Sequence, residues 1–196
     1  MWGGILSVLR EFKVRKVIIG KQGEECEQYQ EFCEIVKDRK ISVVVVKKGD
    51  IINIEKDIQV KILFPDNDLI SENMLNNNSL VMRFEYKDFK MLFTGDIEAI
   101  AEEALLKLYS QGELSANILK VPHHGSKSSS TNDFLEAVGA DIALIGVGEN
   151  NKFGHPNKEV LERIEKSGAE IYRTDQMGEV KISIDKKGKE VIACEL

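Results

Sequence analysis

The residue types best suited to chemistry stand at the ends of two apolar runs. Met91-Leu92-Phe93 leads into Thr94-Gly95-Asp96, and the run 118–121 leads into Pro122-His123-His124-Gly125-Ser126. The chain holds three histidines, and two of them are adjacent in the second motif. Carboxylate oxygen and imidazole nitrogen are common donors to zinc and similar cations, so Asp96 and His123 are candidate metal ligands. Taken alone, Asp96 also suits a helix N-cap. Successive side chains of an extended segment point opposite ways, so only one of the adjacent rings is expected to face a given metal. His123 is taken as that ligand, and His124 as an acid-base group or a support behind it. His155, between Gly154 and Pro156, is a second acid-base candidate suited to protonating a leaving group. Ser126, Lys127 and Ser128 precede a helix and offer hydroxyls, amides and an ammonium for an anion pocket. No serine lies in a GxSxG elbow, which disfavours a serine hydrolase.

The elements that must position these residues follow from periodicity. Helices are predicted over 3–12, 24–39, 97–108 and 157–167, loop and then helix over 128–138 with Thr131 or Asn132 as N-cap, and strands over 14–19, 42–47, 51–54, 59–64, 80–86, 90–94, 118–121, 141–147, 170–173, 179–184 and 190–194. Lys48-Gly49-Asp50 and Glu55-Lys56-Asp57 are good turn material, so 42–64 reads as an antiparallel meander. Further turns are expected at Gly20-Lys21-Gln22-Gly23, which lacks P-loop spacing, and at Lys186-Lys187-Gly188. Both candidate motifs then sit at C-terminal strand ends, where open sheets place their sites.

At 196 residues the chain is read as one domain, 1–196. A formal charge of -6 disfavours wholesale wrapping of nucleic acid, although Lys120, Lys127, Lys152 and Arg173 could meet a phosphate locally. The three cysteines make no disulfide framework; Cys26 and Cys33 read as small core residues of a helix. No apolar run approaches the roughly 20 residues of a membrane span, and no secretion signal is visible, so the expected location is cytoplasmic.

Several motifs recur in a telling order: Asn76-Asn77-Asn78-Ser79-Leu80-Val81, Leu92-Phe93-Thr94-Gly95-Asp96, Val121-Pro122-His123-His124-Gly125-Ser126, Gly148-Glu149-Asn150-Asn151, Phe153-Gly154-His155-Pro156 and Tyr172-Arg173-Thr174-Asp175. In this order the chain resembles the metallo-β-lactamase-fold domain of the ComEC type, the soluble part of competence DNA-uptake proteins that also occurs as free-standing hydrolases. The resemblance implies an α/β fold, an αββα sandwich with a two-metal site of zinc or manganese, and phosphodiesterase or nuclease activity through metal-activated hydroxide. It casts Asp96 as the bridging aspartate, His123 as a terminal ligand, and Asn77, or a neighbour, at a position where the wider superfamily has a histidine, beside the substrate. Family members carry a His-x-Asp/His-x-Asp-His cluster just before a Gly-Gly and a helix, and Met1-Trp2-Gly3-Gly4 resembles the point just after it. The sandwich is therefore expected to lack its first N-terminal strands and to hold metal weakly. An exposed sheet edge and a homodimer through it are also expected. The alternative is a non-catalytic truncated remnant or an anion-binding module without the dinuclear metal site; full-length competence relatives are membrane proteins, but no membrane segment is expected here.

Overall fold

The computed structural model describes residues 3–21, 26–185 and 190–195. Its centre is a seven-stranded sheet in the order β3 (Ile51–Glu55), β4 (Ile58–Phe64), β5 (Val81–Tyr86), β6 (Phe89–Phe93), β7 (Ile118–Lys120), β8 (Ile142–Ile145) and β9 (Glu170–Arg173). From β3 to β6 neighbours are antiparallel, and from β6 to β9 they are parallel. The connections dictate that change. Lys87-Asp88 suffices to turn β5 back into β6. Parallel neighbours instead need a crossover, supplied by α4 (Ala99–Leu108) with α5 (Gln111–Leu114), by α6 (Asn132–Val138) and by α7 (Lys158–Ser167).

Period-two alternation sorts the strands between two faces. Leu92, Leu119, Ala143 and Ile145 pack with Leu105 of α4, Phe134 of α6 and Ile164 of α7. The intervening Phe89, Ile118 and Ile142 face the opposite way, against Ile182 and Ile184 of β10 (Glu179–Ile184), which pairs antiparallel with β11 (Glu190–Glu195). On that same face Val60 and Ile62 meet Ile18 of β1 (Lys16–Gly20) and Val46 of β2 (Ser42–Val46). Beyond β1 and β2 lie α1 (Gly3–Glu11) and α2 (Glu27–Asp38), where Leu6, Leu9 and Phe32 bury against Val17 and Ile41. Helix, sheet, sheet and helix layers are thus all present, with the outer sheet reduced to pairs of strands.

The meander expected over 42–64 is corrected by the pairing. β2 runs parallel to β1, and only β3 and β4 form a hairpin. The segment between β2 and β3 is a corner: Lys48 N donates to Pro65 O and Gly49 N to Ile62 O, with Gly49 at φ +92. The Ser-Val-Val-Val-Val run of β2 is the near-continuous apolar pattern of a parallel strand, a signal that the turn residues masked. α3 (Met74–Asn77) and α8 (Thr174–Met177) interrupt segments without an expected helix. Cys33 is exposed, because Phe32 takes the buried face of α2. Cys26 is half-buried at the helix start. The turn at Lys186-Lys187-Gly188 and the Gln22-Gly23 half of the other lie outside the described residues.

Val43, Val44 and Val45 are 37 %, 37 % and 60 % exposed, and Ile51 and Ile54 of β3 are more than half exposed. Among the described residues no helix is long and apolar enough to cross a membrane.

Candidate functional site

The site lies past the C-terminal ends of β6, β7 and β8. Asp96 follows β6 in a turn that requires glycine: Gly95 has φ +57, and a Cβ there would stand 2.6 Å from the Ser79 Cβ. Ser79 also holds the turn from the side, its Oγ accepting from Asp96 N at 3.1 Å. Two further bonds tie this acidic tip to the histidine tip. Thr94 Oγ1 donates to Lys120 O at 2.7 Å, and His123 N donates to Gly95 O at 3.1 Å.

The histidines are not extended. Pro122 to Gly125 form a 3-10 turn in which His123 and His124 have φ of 46° and 55°, the left-handed region that costs non-glycine residues about 1–3 kcal/mol each. Packing imposes it. Gly125, at φ +80, sits so close to Pro156 that a Cβ would lie 2.6 Å from the Pro156 Cβ. Its carbonyl accepts from Asn157 N at 2.8 Å. Ser129 Oγ holds the other end through Pro122 O. The strand-alternation rule therefore does not apply, and both rings reach the site. Asp96 meets His124, with Oδ1 and Nε2 3.6 Å apart, rather than the expected His123. His123 instead has Nδ1 3.5 Å from Glu98 Oε1 and its ring 5.7 Å, centroid to centroid, from that of His155.

The hydrogen bonding of His124 defines what its pairing with Asp96 can hold. Its Nδ1 lies 2.5 Å from Gly146 O, which only accepts, so Nδ1 carries the hydrogen. In the neutral ring Nε2 then points a lone pair at a carboxylate oxygen. Two such donors converge only around a proton or a cation. Ligands about 2.1 Å from a tetrahedral ion stand roughly 3.4 Å from one another, close to the separation of this pair. Asp96 and His124 thus fit two positions of a cation's shell. Among the described residues no group of three or more His, Cys, Asp or Glu side chains could hold a metal ion, so that shell is incomplete.

Charge around the pair is graded by burial. Burial pushes the Lys120 ammonium below the usual lysine range, against the pull of Asp96, and its Nζ donates to Val121 O. Burial also lowers the His155 imidazole, helped by His123 and His124 and opposed by Asp96. The Phe153 ring stacks on His155 at 6.0 Å while 82 % exposed. A cleft of about 400 Å³ lies here, lined by His124, Gly146, Asn151, Phe153, His155 and Thr174 among others. A second, of about 430 Å³, runs from Asp96 to Ile18, Ile19, Leu75 and Leu80.

The residues expected to bind substrate are placed differently. Asn77 is fully buried; its Oδ1 accepts from Glu98 N and its Nδ2 donates to Glu72 O, so it braces the loops behind Asp96. Ser126 Oγ pairs with Ser128 Oγ, and Ser128 Oγ donates to Glu98 Oε1 at 3.0 Å. Lys127 reaches out to Glu159 on α7. Each of the three is thus engaged by a partner within the chain. Sequence reasoning passed over Glu98, because a glutamate at a helix start reads as a partner of the helix dipole.

Fold and site together define a member of a known class: residues 2–149 match the model of the metallo-beta-lactamase superfamily, and the chain belongs to it. It is 30 % identical over 174 residues to ComE operon protein 3 of Bacillus subtilis, covering 88 % of this chain and 22 % of that protein. It is 34 % identical over 113 residues to Competence protein ComA of Neisseria gonorrhoeae, covering 58 % and 16 %, and 25 % identical over 181 residues to Recombination protein 2 of Haemophilus influenzae, covering 92 % and 20 %. The chain spans about a fifth of the length of these curated relatives.

Proposed function

We propose that the chain is a metal-dependent phosphodiester hydrolase domain of the competence-protein type, acting on nucleic acid. The observation that carries this reading is the 3.6 Å approach of a carboxylate oxygen and an imidazole lone pair, Asp96 to His124, at the joined tips of two parallel strands. Asp96 and His124 would hold a zinc or manganese ion, with the remaining ligands coming from outside the described residues. Such an ion, when bound, lowers the pKa of a coordinated water and offsets charge on phosphoryl oxygens. Lys120, drawn toward Asp96 by charge while burial lowers its ammonium, lies near the pair. His155, whose imidazole burial lowers, lines the cleft as an acid-base candidate. The names of the relatives, competence and recombination proteins, favour nucleic acid as the substrate.

A second reading, a non-catalytic module that keeps the fold without the metals, is favoured by the incomplete shell. One assay separates them: hydrolysis of bis-p-nitrophenyl phosphate and of single-stranded DNA by the purified chain with manganese or zinc, beside D96N. Metal-dependent turnover that D96N abolishes supports the hydrolase. Absence of both turnover and cation binding in the wild-type chain overturns it in favour of the module.

A further inference from the structure

We propose that Glu98 is a positioning residue that fixes the tautomer of His123, keeping the hydrogen on Nδ1 and leaving Nε2 as the bare donor. The inference deepens the reading of this site as a cation seat.

The first observation is an orphan. His123 Nδ1 is buried and has no hydrogen-bond partner among the described residues, a costly condition for a ring nitrogen. The polar group set against it is Glu98 Oε1, 3.5 Å away, and both side chains are largely buried, at 23 % and 17 % exposure. A neutral imidazole has one N–H and one lone pair. A lone pair on Nδ1 would face a carboxylate with nothing between them, whereas an N–H there meets an acceptor.

The second observation is that Glu98 is itself held. Its Oε1 accepts from Ser128 Oγ at 3.0 Å, and its backbone N donates to Asn77 Oδ1 at 3.0 Å. Asn77 is locked in turn through Nδ2 to Glu72 O at 2.8 Å, and Ala99 N donates to Ser128 O at 2.8 Å. These bonds leave the carboxylate little freedom, so it imposes an orientation on the ring rather than following it. Asn77 and Ser128, expected at the substrate, instead hold the group that orients a histidine.

The third observation is a parallel within the same turn. His124 directs Nδ1 to Gly146 O at 2.5 Å and Nε2 toward Asp96. His123 likewise has an oxygen set against Nδ1, here a carboxylate oxygen at 3.5 Å in place of the carbonyl. A carboxylate behind an imidazole makes its far nitrogen the more basic donor, as it does for many metal-binding histidines. The two left-handed residues thus each set Nδ1 against an oxygen, which leaves Nε2 as the free lone pair of a neutral ring.

The test reads the tautomer directly in the metal-free chain, by long-range proton–nitrogen NMR at a pH where the rings are neutral. In the wild type His123 carries its hydrogen on Nδ1. In E98A the acceptor is gone, and His123 moves to the Nε2–H form or to a mixture, while His124, bonded to Gly146 O, is unchanged. In E98Q the amide oxygen replaces the acceptor and restores the Nδ1–H form without the charge. A wild-type His123 with hydrogen on Nε2, or an Nδ1–H form that persists in E98A, overturns the proposal. Should E98A lose its fold, judged by amide dispersion, the wild-type tautomer and E98Q decide by the same criteria. Because no metal is added, a chain that binds no cation still reports the tautomer, so the two readings fail separately.

Discussion

Replacing Glu102 by alanine should unfold the loop that follows the histidines before it does anything else. Glu102 is fully buried on α4, where Oε1 accepts from Ser130 N at 2.5 Å and Oε2 from Thr131 N at 2.8 Å. Arg163 of α7 grips the same loop through the carbonyls of Ser129 and Ser130. Ser130 is held at φ +60 between them. Burial pushes the Glu102 carboxyl above its ordinary range, while the two amides, the Thr131 hydroxyl and Arg163 pull it back. In E102A two buried N–H groups lose their acceptors, at about 1–3 kcal/mol each, or roughly 2–6 kcal/mol together. For a chain of this size about 2–4 °C accompanies each kcal/mol, so the melting midpoint should drop by roughly 4–24 °C. E102Q keeps one acceptor oxygen and should lose about half as much. Urea denaturation and thermal melting followed by circular dichroism measure both variants. A loss below about 1 kcal/mol in E102A would refute the clamp, since even one orphaned buried amide exceeds that on average.

Other outcomes follow from single features. Burial raises the Glu85 carboxyl, but hydrogen bonds and charge from Lys61 and Arg83 outweigh it and hold the pKa below the ordinary value. Its contribution is therefore present above the unfolded carboxylate pKa of about 4.3 and lost as pH falls through the lower folded value. E85Q should flatten the acid limb of the stability profile, and urea midpoints that fall in parallel for both proteins below about pH 4.3 would contradict this. The exposed valines of β2 offer an apolar edge that a second copy could extend. V44K should shift concentration-dependent oligomers toward monomer in light scattering, and a wild-type chain that stays monomeric at high concentration would remove the expectation. Phe153, exposed and stacked on His155, borders the cleft beside His124. If a base stacks there, at about 1–3 kcal/mol, F153A weakens single-stranded oligonucleotide binding roughly 5- to 150-fold. An unchanged affinity, measured by fluorescence anisotropy, would exclude that contact.

The sequence made the parallel half of the fold legible because its signals were local. Apolar runs ending in Gly95-Asp96 and Pro122-His123, an amphipathic α4 and a Pro156 before α7 mark the successive crossovers. Layering was legible through the motif order. The partner of β2 was not, because Lys48-Gly49-Asp50 has turn chemistry whether the chain folds back or passes to another sheet. How the two adjacent rings are set was not legible either. Strand alternation assigns one ring to the site, but both histidines are left-handed, in a turn whose Gly125 packs against Pro156, far along the chain. Glu98 was hidden for a related reason: its role depends on Asn77 and Ser128, which are distant in sequence and adjacent in space.

The central claim is that Asp96 and His124 share a divalent cation. Titrating manganese into the nitrogen-labelled chain and following paramagnetic line broadening tests it most directly, since the method registers weak binding by an incomplete shell. Selective broadening of signals from Gly95, Asp96, His123 and His124, abolished in D96N and displaced by zinc, is the result expected. Broadening that is uniform over the acidic surface, or that survives D96N unchanged, would contradict it.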